Sequence, residues 1–325
     1  MRTFIPAASL LLALSPTVTS GLKIASVLQY IEYTPEKIAA QDFYKGEVTF
    51  SSGGIANIVS GSSIDLGANA ETQALRNFPS HKNLRIIATV SEVAYRIVAN
   101  KNKIASVKDL KGKRIGTMSG TSAGYFIYKY LNSVGLKEGD YTLASGSICS
   151  AAPCGSGTLP AMLKAGTIDA FGIWEPSVQL AVDQLGADAI TFSDKSVYRE
   201  IYNLHTTAEK LKDASSRKEI VAFVKALIQA QKVFEETPDK VIPRVAQAVG
   251  MDQKVVKGAW VVHSFKGGLP SDLLDFLVEE DEWVAKNERR KALSKADLTP
   301  LIDSSVLKEA AELLTKEGFN VTVTF

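Results

Sequence analysis

From Leu22 to Phe192 the chain takes turns between short β-like runs and helix-like segments, and this alternation constrains the fold more than any other feature. "LKIASVL" is followed by "TPEKIAAQDFY", with Pro35 where a helix would begin. "EVTFSS", "SIDLGA", "LRIIATV", "AYRIVAN", "DYTLASG", "IDAFGIW" and "AITFS" are further strand candidates. "GGIANIVSG", "ETQALRNF", "TLPAMLKAG" and "PSVQLAVDQLG" lie between them as helices. Strands separated by helices are expected to form parallel sheets in an α/β fold. After residue 205 the character changes. "SRKEIVAFVKALIQAQKVFEET", "PDKVIPRVAQAVG", "SDLLDFLVEEDEWVAKNERR" and "SVLKEAAELLTKEGF" carry apolar residues at three- and four-residue steps, so a helical C-terminal region is expected.

Length and charge narrow the function. The chain has 325 residues, 46% of them apolar, which exceeds the usual single domain. A net charge of +2, with both signs interspersed, gives no basic stripe for nucleic acid. "MRTFIPAASLLLALSPTVTS" has Arg2, a short apolar run and small residues at Val18 and Ser20. It reads as a secretory signal over residues 1–20, too short to span a bilayer. No later run is long enough for a membrane span. In a secreted chain, Cys149 and Cys154 are expected to pair within "GSICSAAPCGSG". Their spacing matches neither a redox pair nor a zinc site, and no metal or cofactor is expected. "NVT" makes Asn320 a candidate glycosylation acceptor.

"KGKRIGTMSGTSAGYFIYKYL" resembles a phosphate loop at first sight. However, Gly116 and Gly120 enclose three residues where a Walker loop encloses four, and Thr121 stands where its lysine belongs. The dinucleotide fingerprint fails on spacing as well. What remains is a helix start with Ser119, Thr121 and Ser122 beyond a strand end, able either to cap the helix or to meet a ligand. The histidines His81, His205 and His263 are scattered, and no nucleophile elbow or metalloprotease pattern occurs, so an enzyme is not expected.

"ASVKDLKGKRIGTMSGTSAGYFIYKYLNSVGL" and "GTLPAMLKAGTIDAFGIWEPSVQLA" resemble stretches of the substrate-binding proteins for nitrate, taurine and aliphatic sulfonates. "FVKALIQAQKVFEETPDK" and "LLDFLVEEDEWV" extend the likeness over nearly the whole mature chain. The resemblance implies a two-lobed type II periplasmic-binding-protein fold, each lobe a mainly parallel sheet flanked by helices. Lobe one would combine residues 21–98 with 202–325, and lobe two would hold 99–201, with crossings near "IVANKN" and "VYREIYN". Such lobes close on a small ligand like a hinge. The likeness further implies a monomer, secreted to the medium or the periplasm, that serves a membrane permease if the chain is bacterial. A related fungal synthase makes the thiamine pyrimidine on this fold, but "LQYIEYTPEKIAA" lacks its histidine and "SICSAAPCGSG" its cysteine cluster. A secreted scaffold with a repurposed cleft is the remaining alternative.

Turns that would face the cleft nominate Gln29, Tyr30, Ser52, Asn69, Glu71, Ser119, Thr121, Ser122 and Trp174, with Glu32 and Glu92 behind them. Hydroxyls and amides at a helix start suit an oxyanion. Against this, Glu32, Glu71, Glu92 and Glu175 fall in or beside the same turns, and only Arg96 offers a nearby positive charge. That balance favours a ligand with an amino group, either alone or in a zwitterionic sulfonate or carboxylate.

Overall fold

The computed structural model describes residues 21–61, 63–320 and 323–325; the signal segment expected over 1–20 lies outside the described residues. Among the described residues, eleven strands form two sheets. The first contains β1 (Leu22–Ser26), β2 (Val48–Ser52), β3 (Leu66–Ala70) and β4 (Leu84–Val93). The second contains β5 (Arg96–Asn100), β6 (Arg114–Thr117), β7 (Thr142–Ser145), β8 (Ala170–Ile173) and β9 (Ala189–Phe192). The chain then returns to the first sheet with β10 (Glu200–Thr207) and β11 (His263–Ser264). The strand orders are β11-β4-β10-β3-β1-β2 and β7-β6-β8-β5-β9.

The strand–helix alternation produces parallel pairing where helices link successive strands. β1 runs parallel to both β2 and β3, and β6 to both β7 and β8. The strands at the passages between sheets run the other way. β10 is antiparallel to β3 and β4, and β5 to β8 and β9, so both sheets are mixed. One passage is Ala94–Tyr95, between β4 and β5, a few residues before "IVANKN". The other lies between β9 and β10 and includes the start of "VYREIYN".

Among the described residues, seven α-helices follow β10, from Ala208–Lys212 to Ser305–Lys316. The longest, Ala214–Glu236, starts where Asp213 Oδ1 accepts from the Ser216 amide at 2.8 Å, a side-chain cap. It buries Ile220, Phe223, Val224, Leu227 and Phe234, one apolar stripe at helical spacing. Leu22, Ile24, Leu66, Ile86 and Leu204 fill the first sheet's core, and Ile97, Ile115, Ala170 and Phe171 the second's. Cys149 and Cys154 form a disulfide. Asn320 is exposed. Among the described residues no helix is long and apolar enough to cross a membrane.

Candidate functional site

A cavity of about 170 Å³ lies between the two sheets and takes its walls from both. The turn after β1 contributes Val27, Tyr30 and Glu32, and the end of β3 and the helix after it contribute Asn69, Ala70 and Gln73. Across the cleft stand Thr121, Ser122 and Trp174. Glu200 and Tyr202, from the start of β10, complete the lining where the chain returns to the first sheet.

Local chemistry fixes each wall. Tyr30 and Trp174 meet edge to face, with centroids 6.1 Å apart, one ring from each side of the cleft. Asn69 Oδ1 accepts from the Ile55 amide at 2.7 Å and so caps the helix Ile55–Val59. Gly54 is needed there, because a Cβ would fall 1.9 Å from Asn69 Oδ1. Thr121 caps the helix Ser122–Ser133: its Oγ1 accepts from the Ala123 amide at 3.2 Å and donates to the Met118 carbonyl at 2.7 Å. Ser122 Oγ shares a hydrogen bond of 3.1 Å with Tyr95 Oη. Both hydroxyls are therefore committed to protein partners. Tyr202 Oη donates to the Ala68 carbonyl and lies 2.9 Å from Ser26 Oγ.

The lining carries two carboxyls and no Lys, Arg or His. Glu32 and Glu200 are both buried, 3% and 5% exposed. Glu32 Oε2, Glu200 Oε2 and Trp174 Nε1 have no hydrogen-bond partner among the described residues. Burial, with Glu32 and Glu71 beside it, holds the Glu200 carboxyl well above the usual carboxylate range. His263 Nε2 lies 3.9 Å from Glu32 Oε1, beyond hydrogen-bond reach.

Of the residues nominated from sequence, Tyr30, Glu32, Asn69, Thr121, Ser122 and Trp174 line the cavity. Gln29, Ser52 and Ser119 are exposed and lie outside the lining. Glu71 is buried behind it, where Oε1 accepts from Tyr198 Oη at 2.7 Å and Oε2 from the Ile201 amide at 2.8 Å. Glu92 pairs with Arg199 at the same passage. Glu175 pairs with Arg96 and accepts from the Gln179 amide at 2.9 Å, which anchors the turn after Trp174 to the helix Ser177–Leu185. Glu200, Tyr202 and Gln73 were not reached from sequence. "VYREIYN" offered the only signal for the first two, as a crossing segment.

Polar seams flank the cavity. Lys129 on the helix Ser122–Ser133 meets Glu279 on the helix Leu273–Glu288 at 2.8 Å. Lys286 meets Glu138 at 2.8 Å, and Trp283 packs on Tyr125 with centroids 5.4 Å apart.

Two α/β halves, joined by two chain passages and lining one cleft from both sides, define a periplasmic-binding-protein fold. The chain belongs to the NMT1/THI5-like family, whose model matches residues 48–241. It is 28% identical over 219 residues to the putative aliphatic sulfonates-binding protein of Bacillus subtilis (strain 168), covering 66% of this chain. The match spans 62% of that relative's length. Two solved structures share the fold. The periplasmic aliphatic sulphonate binding protein SsuA from Escherichia coli has a TM-score of 0.65 and 15% identity, covering 85% of this chain and 90% of its own. The alkanesulfonate-binding protein SsuA from Xanthomonas axonopodis pv. citri, bound to MOPS, has a TM-score of 0.65 and 19% identity, covering 87% and 97%.

Proposed function

We propose that the protein is a secreted solute-binding protein, not an enzyme, whose two lobes close over a small polar solute. Residues 21–98 with 202–325 form one lobe and 99–201 the other, and the chain acts as a monomer. The observation that carries this reading is the cavity itself, lined from both sheets beside the two chain passages. Its volume is small against the roughly 300–1,000 Å³ of drug-sized sites, so a compact solute fits. That solute carries an amino group; an acid group, where present, would rest at the start of the helix Ser122–Ser133. The sulfonate-binding relatives support the receptor role and a location in the periplasm or medium. In a bacterial cell the bound solute would pass to a membrane permease.

Native mass spectrometry of protein purified from its own culture medium tests this, with a denatured control for the covalent mass. A small molecule that leaves on denaturation is the expected result. A bare protein that also gains no thermal stability from its source medium would sink the receptor reading.

A further inference from the structure

We infer that the solute is a compact organic cation, a protonated amine or amidine, held by its N–H groups between Glu32 and Glu200 and offering one acceptor to Trp174 Nε1. This rests on the receptor reading above. Buried polar atoms in folded proteins are nearly always hydrogen-bonded, and a lone exception asks for an explanation. Here three such atoms, Glu32 Oε2, Glu200 Oε2 and Trp174 Nε1, belong to side chains that line one cavity, the last of them beside the Tyr30 hydroxyl. Two of them accept and one donates, so the missing partner presents donors to two carboxyls and an acceptor to the indole.

Charge points the same way. A free sulfonate or carboxylate would meet two carboxyls and no cationic side chain in the lining. The hydroxyls of Thr121 and Ser122, which would otherwise suit an anion, are occupied by Met118, Ala123 and Tyr95. Arg96 is taken by Glu175 and Arg199 by Glu92 and Asp272, and His263, 3.9 Å from Glu32, lies outside the lining. Burial and the neighbouring Glu32 and Glu71 carboxyls raise the Glu200 carboxyl well above the usual carboxylate range, against the opposing hydrogen bond of Tyr95. An arriving cation supplies the opposite charge that the site lacks. Tyr30 and Trp174 add ring surfaces of the kind that attract cations.

Two isosteric series test the inference by calorimetry on the intact mature protein: acetamidinium, acetamide and acetate, and benzamidinium, benzamide and benzoate. Ethanesulfonate serves as the anion probe. We expect at least one cation to bind about tenfold or more tightly than its neutral isostere, as a charge-assisted hydrogen bond allows, and the anions not to bind. Glu32→Gln and Glu200→Gln keep the volume of each side chain, and together they should abolish the preference while leaving the thermal unfolding temperature unchanged or raised. Anion binding that matches or exceeds cation binding would overturn the cation and leave the receptor standing. Equal binding of charged and neutral members would do the same. Silence from all seven probes at about 10 mM, a concentration that reveals even millimolar affinity, would also overturn the cation. The mass-spectrometric test alone would then judge the receptor.

Discussion

Glu36 is fully buried, with the Ser26 side chain beside its carboxyl. Burial pushes its carboxyl up to about 8, with Ser26 the only group that opposes the shift. Since the folded value exceeds the unfolded one, the native state holds more protons across that window, and stability falls as pH rises from about 4.5 to about 8. Glu36→Gln should flatten that decline and raise stability at pH 8 by on the order of 3 kcal/mol in urea unfolding. An unchanged pH profile would refute the assignment. His205 works from the acid side. Burial lowers its imidazole to about 4 while Nδ1 hydrogen-bonds the Gly67 carbonyl at 3.1 Å. Stability from this group is therefore lost as pH falls from about 6.5 towards 4. At Gly54, an added methyl must displace Asn69 and free the Ile55 amide. Gly54→Ala should cost about 1 kcal/mol or more through the lost cap, and should weaken benzamidinium binding by moving a cleft wall. A variant with wild-type stability and affinity would show that Asn69 can yield without consequence.

Between elements, Arg96 on β5 and Glu175 before the helix Ser177–Leu185 form a nearly dry ion pair. Removing one partner leaves a buried charge alone, so Arg96→Met should destabilise the protein by about 3–5 kcal/mol. The double change Arg96→Met with Glu175→Leu should recover much of that loss in chemical denaturation; a fully additive double mutant would contradict the pairing. Sequence could nominate Glu175 but not its partner, because the antiparallel register of β5 on β8 brings Arg96 opposite Ile173, beside that turn. The same limit hid Glu200. All eight residues of β10 are buried, so no period-two alternation marks which of them faces the cleft. The strands of "LKIASVL" and "IDAFGIW" were legible because turn signals bound short β-branched runs, and Trp174, Thr121 and Ser122 were legible because they follow such strands directly. Glu71 and Glu92 carried the right charge in the right turns, yet Tyr198 and Arg199 satisfy them from a segment more than a hundred residues away.

At the scale of the molecule, contacts outside the cavity lining join the two proposed lobes. Lys129–Glu279 and Lys286–Glu138 cross from one half to the other. The first pair is partly exposed and the second largely so, and solvent screens both. Replacing both lysines with Met should favour the open form and weaken benzamidinium binding by up to about tenfold, although neither lysine reaches the cavity. An affinity unchanged beyond experimental error would mean that closure does not depend on this seam. The parallel core of each sheet followed from the strand–helix alternation. The seam did not, since it depends on how segments about 150 residues apart in the chain meet.

The three tryptophans divide this motion among themselves. Trp174 stands in the cleft wall, Trp283 lies across the seam against Tyr125, and Trp260 is packed on Phe234 and Phe265. On the receptor reading, occupancy of the cavity would change the surroundings of the first, and opening of the lobes those of the second. The chain thus has its own optical gauge. Comparing the emission of Trp174→Phe and Trp283→Phe proteins would time solute capture and lobe closure separately, without an added dye.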